Sequence, residues 1–249
     1  MKKFLTVALA GVLAASMLFT GCSKKAESKV PDKLIVGTNA EFPPFEYMND
    51  KKQPEGFDIA MIKEIGKRMG KKVEIKNMEF KSLIGAMESD SINAIIAGMT
   101  KTEKREKAVD FSDSYYTTNQ AIILKKDSKI TKLAQLDGKK IGVQEGTTGD
   151  LISSGDKFGD GKKAKVLVKG AKVKRFKKGV DAVMDLKNGS VDAVVIDELT
   201  ANEFVKKNAK KLKIVIDSAG SEYYCIALTK GNTAYKEEVN KQIKAIKED

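Results

Sequence analysis

The sequence has no histidine, no tryptophan and only two cysteines. Without histidine, the chain lacks the general base of most hydrolytic triads and the commonest metal ligand. It also has no Walker-type phosphate loop and no cluster of residues at metal-ligand spacing. One cysteine, Cys225, lies in the apolar run YYCIAL, which is typical of a buried, inert thiol. These absences argue against an enzyme, and we predict no cofactor and no metal site.

Basic residues are in excess: the sequence has 46 Lys and Arg residues and 34 Asp and Glu residues, which gives a formal charge of +12. A basic balance raises nucleic acid or an anionic surface as a partner. The lysines, however, are scattered over polar positions without interleaved aromatic residues, so we predict no nucleic-acid binding. The densest basic segment, 162–178, is typical of a solvated surface, with contact to an anionic membrane or cell wall as the alternative.

The N-terminus has the pattern of an export signal. Met1-Lys2-Lys3 is followed by an apolar stretch, 4–19, which is short for a membrane span of about 20 residues. Thr20-Gly21-Cys22 then resembles a bacterial lipoprotein cleavage site, although Phe19 stands where an aliphatic residue is usual. An ordinary secretory signal with an incidental cysteine is the alternative. We predict a signal peptide over 1–21, lipidation of Cys22 and a tether over 22–32.

These predictions place the protein outside the cytoplasmic membrane. A lipid on Cys22 would anchor it to the extracellular face, or hold it in the periplasm if the host has an outer membrane. Lipidation would also leave Cys225 without a disulfide partner.

Short apolar runs alternate with helical patterns in two successive series, which predicts an α/β fold. The extended segments AIILKK (121–126) and SEYYCIALTK (221–230) follow the first and the second series. We interpret them as two hinge strands between two lobes, each a mainly parallel sheet with flanking helices. The predicted division is 33–121 with 226–249 for the first lobe and 122–225 for the second.

Polar residues follow the apolar strands at the edge where such sheets bind ligands. The first series places Gly98 and Thr100 there, and a helix capped by Thr102 then carries Arg105. The second series contributes Asp197 and a helix that starts at Thr147, whose N-terminus favours a carboxylate. A cation and an anion from different series suit a zwitterion that is held in a closing cleft.

Five segments resemble one known family in order and spacing: GTNAEFPPFEY (37–47), GFDIAMIKEI (56–65), AIIAGMTKTEKREKAVDFSDSYY (94–116), GKKIGVQEGTT (138–148) and VDAVVIDE (191–198). The chain is similar to the amino-acid-binding lipoproteins of polar-amino-acid ABC transporters, and most similar to their arginine-binding and basic-amino-acid branch. The resemblance implies a two-lobed periplasmic-binding-protein-like fold. It also implies a monomer that delivers an amino acid to an ABC permease.

The resemblance also implies the site residues. Arg105 is expected to clamp the ligand α-carboxylate, with help from the backbone N–H of Thr148, and Asp197 to pair with the α-ammonium. The other expected ligand contacts are the carbonyl of Gly98, the hydroxyl of Thr100, the aromatic walls Phe42 and Phe80, the side-chain neighbours Asn39, Glu46 and Gln144, and the adjacent Met99 and Thr147.

Several alternatives stay open at this point. Arg105 could lie on a charged surface helix, Asp197 could only cap a helix, Phe42 and Phe80 could be core residues, and Glu46 could be structural. Binders of basic amino acids often have Asp at the position of Asn39, so glutamine and cystine remain candidate ligands beside arginine, lysine and histidine.

Other functions on the same fold also stay open. A dehydratase-like enzyme would need an acid such as Glu145 in the cleft, and an adhesin or sensor would use the outer surface. Family members usually continue for about one helix beyond the position of Asp249, so we expect a truncated or shortened C-terminus.

Overall fold

The computed structural model describes residues 28–158, 165–217 and 221–249. The predicted signal peptide, Cys22 and tether residues 22–27 lie outside this range, as does part of the basic segment. The first part of the chain has the following strands and helices: β1 (Lys33–Thr38), β2 (Glu41–Phe42), β3 (Glu46–Met48), β4 (Pro54–Glu55), α1 (Phe57–Arg68), β5 (Lys72–Asn77), α2 (Leu83–Glu88), β6 (Ala94–Ile95), α3 (Glu103–Glu106) and β7 (Val109–Thr118).

The remaining elements follow β7 along the chain. They are β8 (Gln120–Lys125), β9 (Lys140–Gln144), α4 (Thr148–Ser153), β10 (Lys157–Phe158), β11 (Lys165–Val166), β12 (Lys172–Phe176), α5 (Gly179–Asn188), β13 (Ala193–Asp197), α6 (Glu198–Lys206), β14 (Leu212–Ile216), β15 (Glu222–Thr229) and α7 (Thr233–Glu248). None of the described helices is both long and apolar enough to span a membrane.

Two five-stranded sheets form the cores of two lobes, which confirms the two-lobed α/β prediction. The order in the first sheet is β5-β1-β6-β15-β7, and the order in the second is β12-β9-β13-β8-β14. In each sheet the first two pairings are parallel and the last two are antiparallel. Four of the five strands in each sheet therefore run in the same direction, as the prediction of mainly parallel sheets requires, and one strand in each, β15 or β8, is reversed. The sheets are mixed because the strands beside each crossing between the lobes run against their neighbours.

The predicted hinge strands are sheet strands, and the crossings lie just before them. The segment 121–125 belongs to β8, which pairs with β13 and β14 in the second sheet. Residues 222–229 form β15, which pairs with β7 in the first sheet from Glu222 onward. Pairing with the second sheet begins at Gln120 and pairing with the first sheet resumes at Glu222, one to three residues before the predicted divisions at 121/122 and 225/226.

Local sequence signals explain the elements that carry the candidate site. Thr102 caps α3, because its hydroxyl accepts a hydrogen bond from the backbone N–H of Arg105 at 3.2 Å. Thr147 caps α4 in the same way through the N–H of Asp150 at 3.3 Å. The cap at Thr102 and a helix start at Thr147 were predicted from the sequence, and both residues place the first turn of a helix at the space between the lobes.

Candidate functional site

The two lobes meet around one narrow cavity. Its lining contains eight of the residues predicted from the sequence, together with Ala97: Phe42, Phe80, Gly98, Thr100, Arg105, Thr147, Thr148 and Asp197. The first lobe supplies the residues up to Arg105, and the second lobe supplies the rest. The cavity therefore exists only where both sheets present their strand ends to each other.

Arg105 is a buried cation that bridges the lobes. Its Nη1 donates to the carbonyl of Thr100 at 2.6 Å, and its Nη2 donates to the carbonyl of Gly146, across the cleft, at 3.0 Å. The guanidinium also lies 5.2 Å from the ring centroid of Phe80. Burial lowers the pKa of Arg105 to about 10, against the opposing effects of Glu222 and Asp197. The Arg105 side chain therefore stays charged at neutral pH. Arg105 is a buried residue and does not lie on a surface helix face.

Asp197 is the buried anion of the second lobe. Its Oδ1 accepts from Nε2 of Gln120 at 2.9 Å, and its Oδ2 accepts from the hydroxyl of Tyr224, in the first lobe, at 2.5 Å. It occupies the N-cap position of α6 but makes no side-chain capping hydrogen bond, so capping is not its role. Burial raises the pKa of Asp197, whereas the hydrogen bonds from Tyr224 and Gln120 oppose the rise.

Glu222, at the start of β15, is a second buried acid that the sequence did not lead us to expect. Its Oε2 accepts from the hydroxyl of Thr100 at 2.6 Å and from that of Thr148 at 2.8 Å. One donor comes from each lobe. Burial, followed by the charge of Asp197, raises the pKa of Glu222 to about 8.

Asn39 and Gln144 meet across the cleft. Nε2 of Gln144 donates to Oδ1 of Asn39 at 2.7 Å, and Nδ2 of Asn39 donates to the carbonyl of Met78 at 2.8 Å. The Oε1 atom of Gln144 is buried and has no hydrogen-bond partner within the described protein. These two amides thus form a neutral polar contact and leave one acceptor unused.

Glu46 lies below the cavity and does not line it. It is fully buried against Asp58, whose Oδ2 accepts from the N–H of Gly98 at 2.7 Å and from the hydroxyl of Tyr115 at 2.7 Å. Burial, and then the charge of Asp58, raises the pKa of Glu46 well above its usual value. Burial also raises the pKa of Asp58. This carboxyl pair holds Gly98 in place at the cavity.

Phe42, Gly98 and Phe80 form the apolar part of the cavity. Gly98 has φ of +50°, and a Cβ there would lie 3.1 Å from Cδ1 of Phe42. Met99 departs from the prediction, because it packs in the core with residues such as Ile95 and Val109 and does not line the cavity. Met99 is buried and faces this core, between the cavity-lining residues Gly98 and Thr100.

Within the described ranges, three of the ion pairs join the lobes at the rim of the cleft. They are Lys81–Glu145 at 2.9 Å, Lys177–Glu79 at 2.6 Å and Lys178–Glu41 at 2.7 Å. Glu145 is therefore paired at the rim and is not placed as an acid inside the cavity. Among the described residues, no group of three or more His, Cys, Asp or Glu side chains could hold a metal ion.

Residues whose role depends on the crossings between the lobes could not be identified from the sequence pattern. Gln120 and Glu222 each occupy the first position of a strand that follows a crossing, and Tyr224 lies two residues further on. A polar residue that opens an otherwise apolar run was the available signal. It was hidden because both runs had been interpreted as hinge strands.

The arrangement can hold a zwitterion. The cation of Arg105 and the carboxylate of Asp197 line one buried cavity, and the carboxylate of Glu222 lies beside it, hydrogen-bonded to the lining residues Thr100 and Thr148. Such charges are costly to bury unless a ligand or the protein pairs them.

Comparisons with known proteins agree with this geometry. Residues 34–249 match the model of the bacterial extracellular solute-binding proteins, family 3. The arginine-binding extracellular protein ArtP of Bacillus subtilis is 35% identical over 224 residues, which are 89% of this chain and 83% of ArtP.

Solved structures give the same result. An ancestral arginine-binding protein bound to arginine superimposes with a TM-score of 0.77 at 40% identity, over 89% of this chain and 95% of that one. An ancestral arginine-binding protein bound to glutamine gives a TM-score of 0.77 at 40% identity, over 89% and 94%. The chain therefore belongs to family 3 of the bacterial extracellular solute-binding proteins.

Proposed function

We propose that this protein captures a free amino acid, preferably a basic one, between its two lobes and delivers it to an ABC permease. The observation that carries the proposal is the opposition of Arg105 and Asp197 in one buried cavity. One comes from each lobe, so a ligand that pairs with both stabilises the closed arrangement. An amino acid carries the complementary carboxylate and ammonium at adjacent positions.

The preference for a basic ligand is supported by charge. Asp197 in the cavity and Glu222 directly beside it outnumber the single cation Arg105, and Phe42 and Phe80 offer aromatic faces to a cation. The similarity to ArtP and to an arginine-bound ancestral protein supports the same class. Glutamine remains the alternative, since Asn39 and Gln144 are neutral amides and an ancestral relative was solved with glutamine.

The same proposal includes the cellular setting. The protein would act as a monomer outside the cytoplasmic membrane, anchored by lipid on Cys22, and would have no catalytic role. Glu145, the acid considered for a dehydratase, pairs with Lys81 at the rim, which favours binding over catalysis.

Calorimetric titration tests the proposal. The protein is unfolded and refolded to remove co-purified ligand, and is then titrated with arginine, lysine, histidine, glutamine and cystine. We expect saturable one-to-one binding that is tightest for a basic amino acid. Tighter binding of glutamine or cystine would correct the ligand class, and the absence of binding to any amino acid would overturn the proposal.

Substitution of Arg105 tests the site itself. Arg105→Ala removes the carboxylate partner from a buried position, so affinity should fall by about 100-fold or more. Arg68→Ala is the matched control, because Arg68 lies on α1 and pairs with Glu64 away from the cavity. Retained affinity in Arg105→Ala, with circular dichroism showing an intact fold, would place the site elsewhere.

A further inference from the structure

We propose that Glu222 makes the cleft selective for the charge of its ligand. Together with Asp197, Glu222 gives the closed cleft one more negative charge than a neutral amino acid balances, and either a bound proton or a cationic ligand side chain balances it. This inference rests on the function proposed above and names the residue that would set the preferred class of amino acid.

The hydrogen bonds of Glu222 fix it where the lobes meet. Its Oε2 takes the hydroxyl protons of Thr100, in its own lobe, and of Thr148, in the other lobe, at 2.6 and 2.8 Å. A hydroxyl has a single proton to donate, so both threonines are committed to Glu222. The second oxygen, Oε1, is buried and has no hydrogen-bond partner within the described protein.

Two charged groups and one phenol face this carboxylate. Asp197 approaches from the end of β13, Arg105 from α3, and Tyr224 follows two residues later on β15 with its hydroxyl on Asp197. Gln120 supports the arrangement, because its Nε2 donates both to Thr148, at 3.0 Å, and to Asp197, at 2.9 Å. The carboxylate of Asp197 therefore comes close to Glu222 only when the lobes are together.

The charges in this cluster do not cancel for a neutral ligand. The ligand carboxylate pairs with Arg105 and the ligand ammonium pairs with Asp197, which leaves the ionised Glu222 unbalanced. Charges interact strongly in such a low-dielectric site. A guanidinium or ammonium on the ligand side chain supplies the missing positive charge, whereas a neutral side chain does not.

The other buried acids nearby, Glu46 and Asp58, differ from Glu222 in one respect. Both belong to the first lobe, so their proximity does not depend on closure. Asp58 already accepts hydrogen bonds from Gly98 and Tyr115. Glu46 and Asp58 therefore lie within one lobe, beneath Gly98, whereas the hydrogen bond from Thr148 to Glu222 crosses the cleft.

The complexes with a neutral and with a cationic ligand should therefore differ in the number of protons that they bind. Burial and the charge of Asp197 raise the pKa of Glu222 to about 8 in the protein without a ligand. A neutral amino acid adds no net charge to the cluster, so we expect its complex to keep the proton on Glu222 at pH 7. A cationic ligand lowers that pKa, and its complex holds Glu222 ionised. The complex with a neutral ligand therefore holds about one proton more than the complex with a cationic one, whatever the protonation of Glu222 before binding.

Arginine and citrulline are suitable probes, because they have nearly the same shape and differ by one charge. The wild-type protein is titrated with arginine, and citrulline is measured directly or by displacement, at pH 6, 7 and 8. Two buffers of different ionisation enthalpy at pH 7 give the number of protons exchanged. We expect the ratio of arginine affinity to citrulline affinity to rise at least about tenfold from pH 6 to pH 8.

Glu222→Gln keeps the shape and an acceptor for both threonines but cannot ionise. In this variant the affinity ratio should become independent of pH, and the difference in bound protons should disappear. Arginine should bind about tenfold more weakly at pH 7, and citrulline within about twofold of wild type. Glu88→Gln, an exposed position at the end of α2, is the control and should behave as wild type.

The outcomes separate this inference from the proposed function. Equal weakening of both ligands in Glu222→Gln, or a wild-type ratio that is independent of pH, would overturn the role of Glu222 alone. Loss of the proton difference in Glu46→Gln, with its retention in Glu222→Gln, would also overturn it, because the pair of Glu46 and Asp58 would then respond to the charge. Failure of the wild-type protein to bind either probe would overturn the proposed function instead.

Discussion

At the scale of single residues, the cleft consists of buried charges that the protein only partly compensates. Arg105 donates two hydrogen bonds to backbone carbonyls, one in each lobe. Asp197 and Glu222 accept hydrogen bonds from neutral groups. No direct ion pair joins Arg105 to either acid among the described contacts. A neutral donor compensates a carboxylate less than a cation does, which leaves the charges available for a ligand.

Glu46 is the residue whose burial has the clearest consequence for stability. Its pKa in the folded protein lies well above the usual 4.5. Above pH 4.5 the unfolded chain loses the proton while the folded protein keeps it, so this group makes stability fall as pH rises. Glu46→Gln removes the effect. We expect unfolding free energy to fall less between pH 5 and pH 7 in Glu46→Gln than in wild type.

Urea denaturation at the two pH values measures this change. Glu88→Gln removes an exposed carboxylate from α2 and should leave the pH dependence near that of wild type. If Glu46→Gln has the same pH dependence as wild type, Glu46 is ionised in the folded protein, and the balance of charge beneath Gly98 is different from the one described here.

At the scale of elements, the turn from β9 to α4 brings the second lobe into contact with the first. Gly146 in this turn has φ of +80°, and its carbonyl accepts from Arg105. A Cβ at Gly146 would lie 3.2 Å from Cβ and 3.3 Å from Cα of Lys81, which belongs to the first lobe. The glycine is therefore required both by the turn and by the close approach of the lobes.

Gly146→Ala should separate these two requirements. The left-handed conformation costs alanine about 1 kcal/mol of stability, and the contact with Lys81 should weaken ligand binding about tenfold by opposing closure. Gly138→Ala is a matched control, because Gly138 also has a positive φ, +71°, but no atom within 4 Å of its Cβ position.

Denaturation and calorimetry of both variants are the measurements. Both should lose stability, and only Gly146→Ala should lose affinity. Small-angle scattering should show a smaller contraction on ligand addition for Gly146→Ala. Equal affinity in the two variants would mean that the approach of Gly146 to Lys81 does not limit closure.

Local sequence signals are sufficient to predict most helices and strands, but they do not show which strands pair with each other. The helix over Gly179–Asn188 and its cap at Gly189 could be predicted because an apolar period and a glycine with φ of +81° are encoded within a dozen residues. The place of β15 could not, because its partner β7 lies more than a hundred residues earlier in the chain. An apolar run is compatible with either sheet until its partner is known.

The same limit applies to the site. Arg105 and Asp197 were predicted from motifs within one segment each, and both line the cavity. Glu222 was missed because its hydrogen-bond partners, Thr100 and Thr148, lie 122 and 74 positions away. Only the meeting of the two lobes makes a carboxylate at that position significant.

At the scale of the whole molecule, closure joins two rims of complementary charge. The first lobe presents Glu41, Glu79 and Lys81, and the second presents their partners in three exposed ion pairs. A single exposed ion pair contributes little free energy, because solvent and salt screen the attraction between its charges. These three pairs nevertheless cross the cleft, so they act only on the closed arrangement, and their effect should appear in ligand affinity and not in the stability of either lobe.

The effect of the rim ion pairs on ligand affinity can be tested by exchanging the charges of one pair, Lys177–Glu79, whose charged atoms lie 2.6 Å apart. Lys177→Glu places two carboxylates opposite each other, so arginine affinity at low salt should fall roughly two- to fivefold. Adding Glu79→Lys restores an attractive pair and should recover most of the loss, and both effects should shrink in 0.5 M salt as the screening length shortens. Lys174→Glu is the control, because Lys174 pairs with Asp185 within the second lobe and should change affinity less. If the double variant binds no better than Lys177→Glu, the rim pairs do not assist closure, and the contacts of Arg105, Asp197 and Glu222 inside the cleft are sufficient to hold the lobes together.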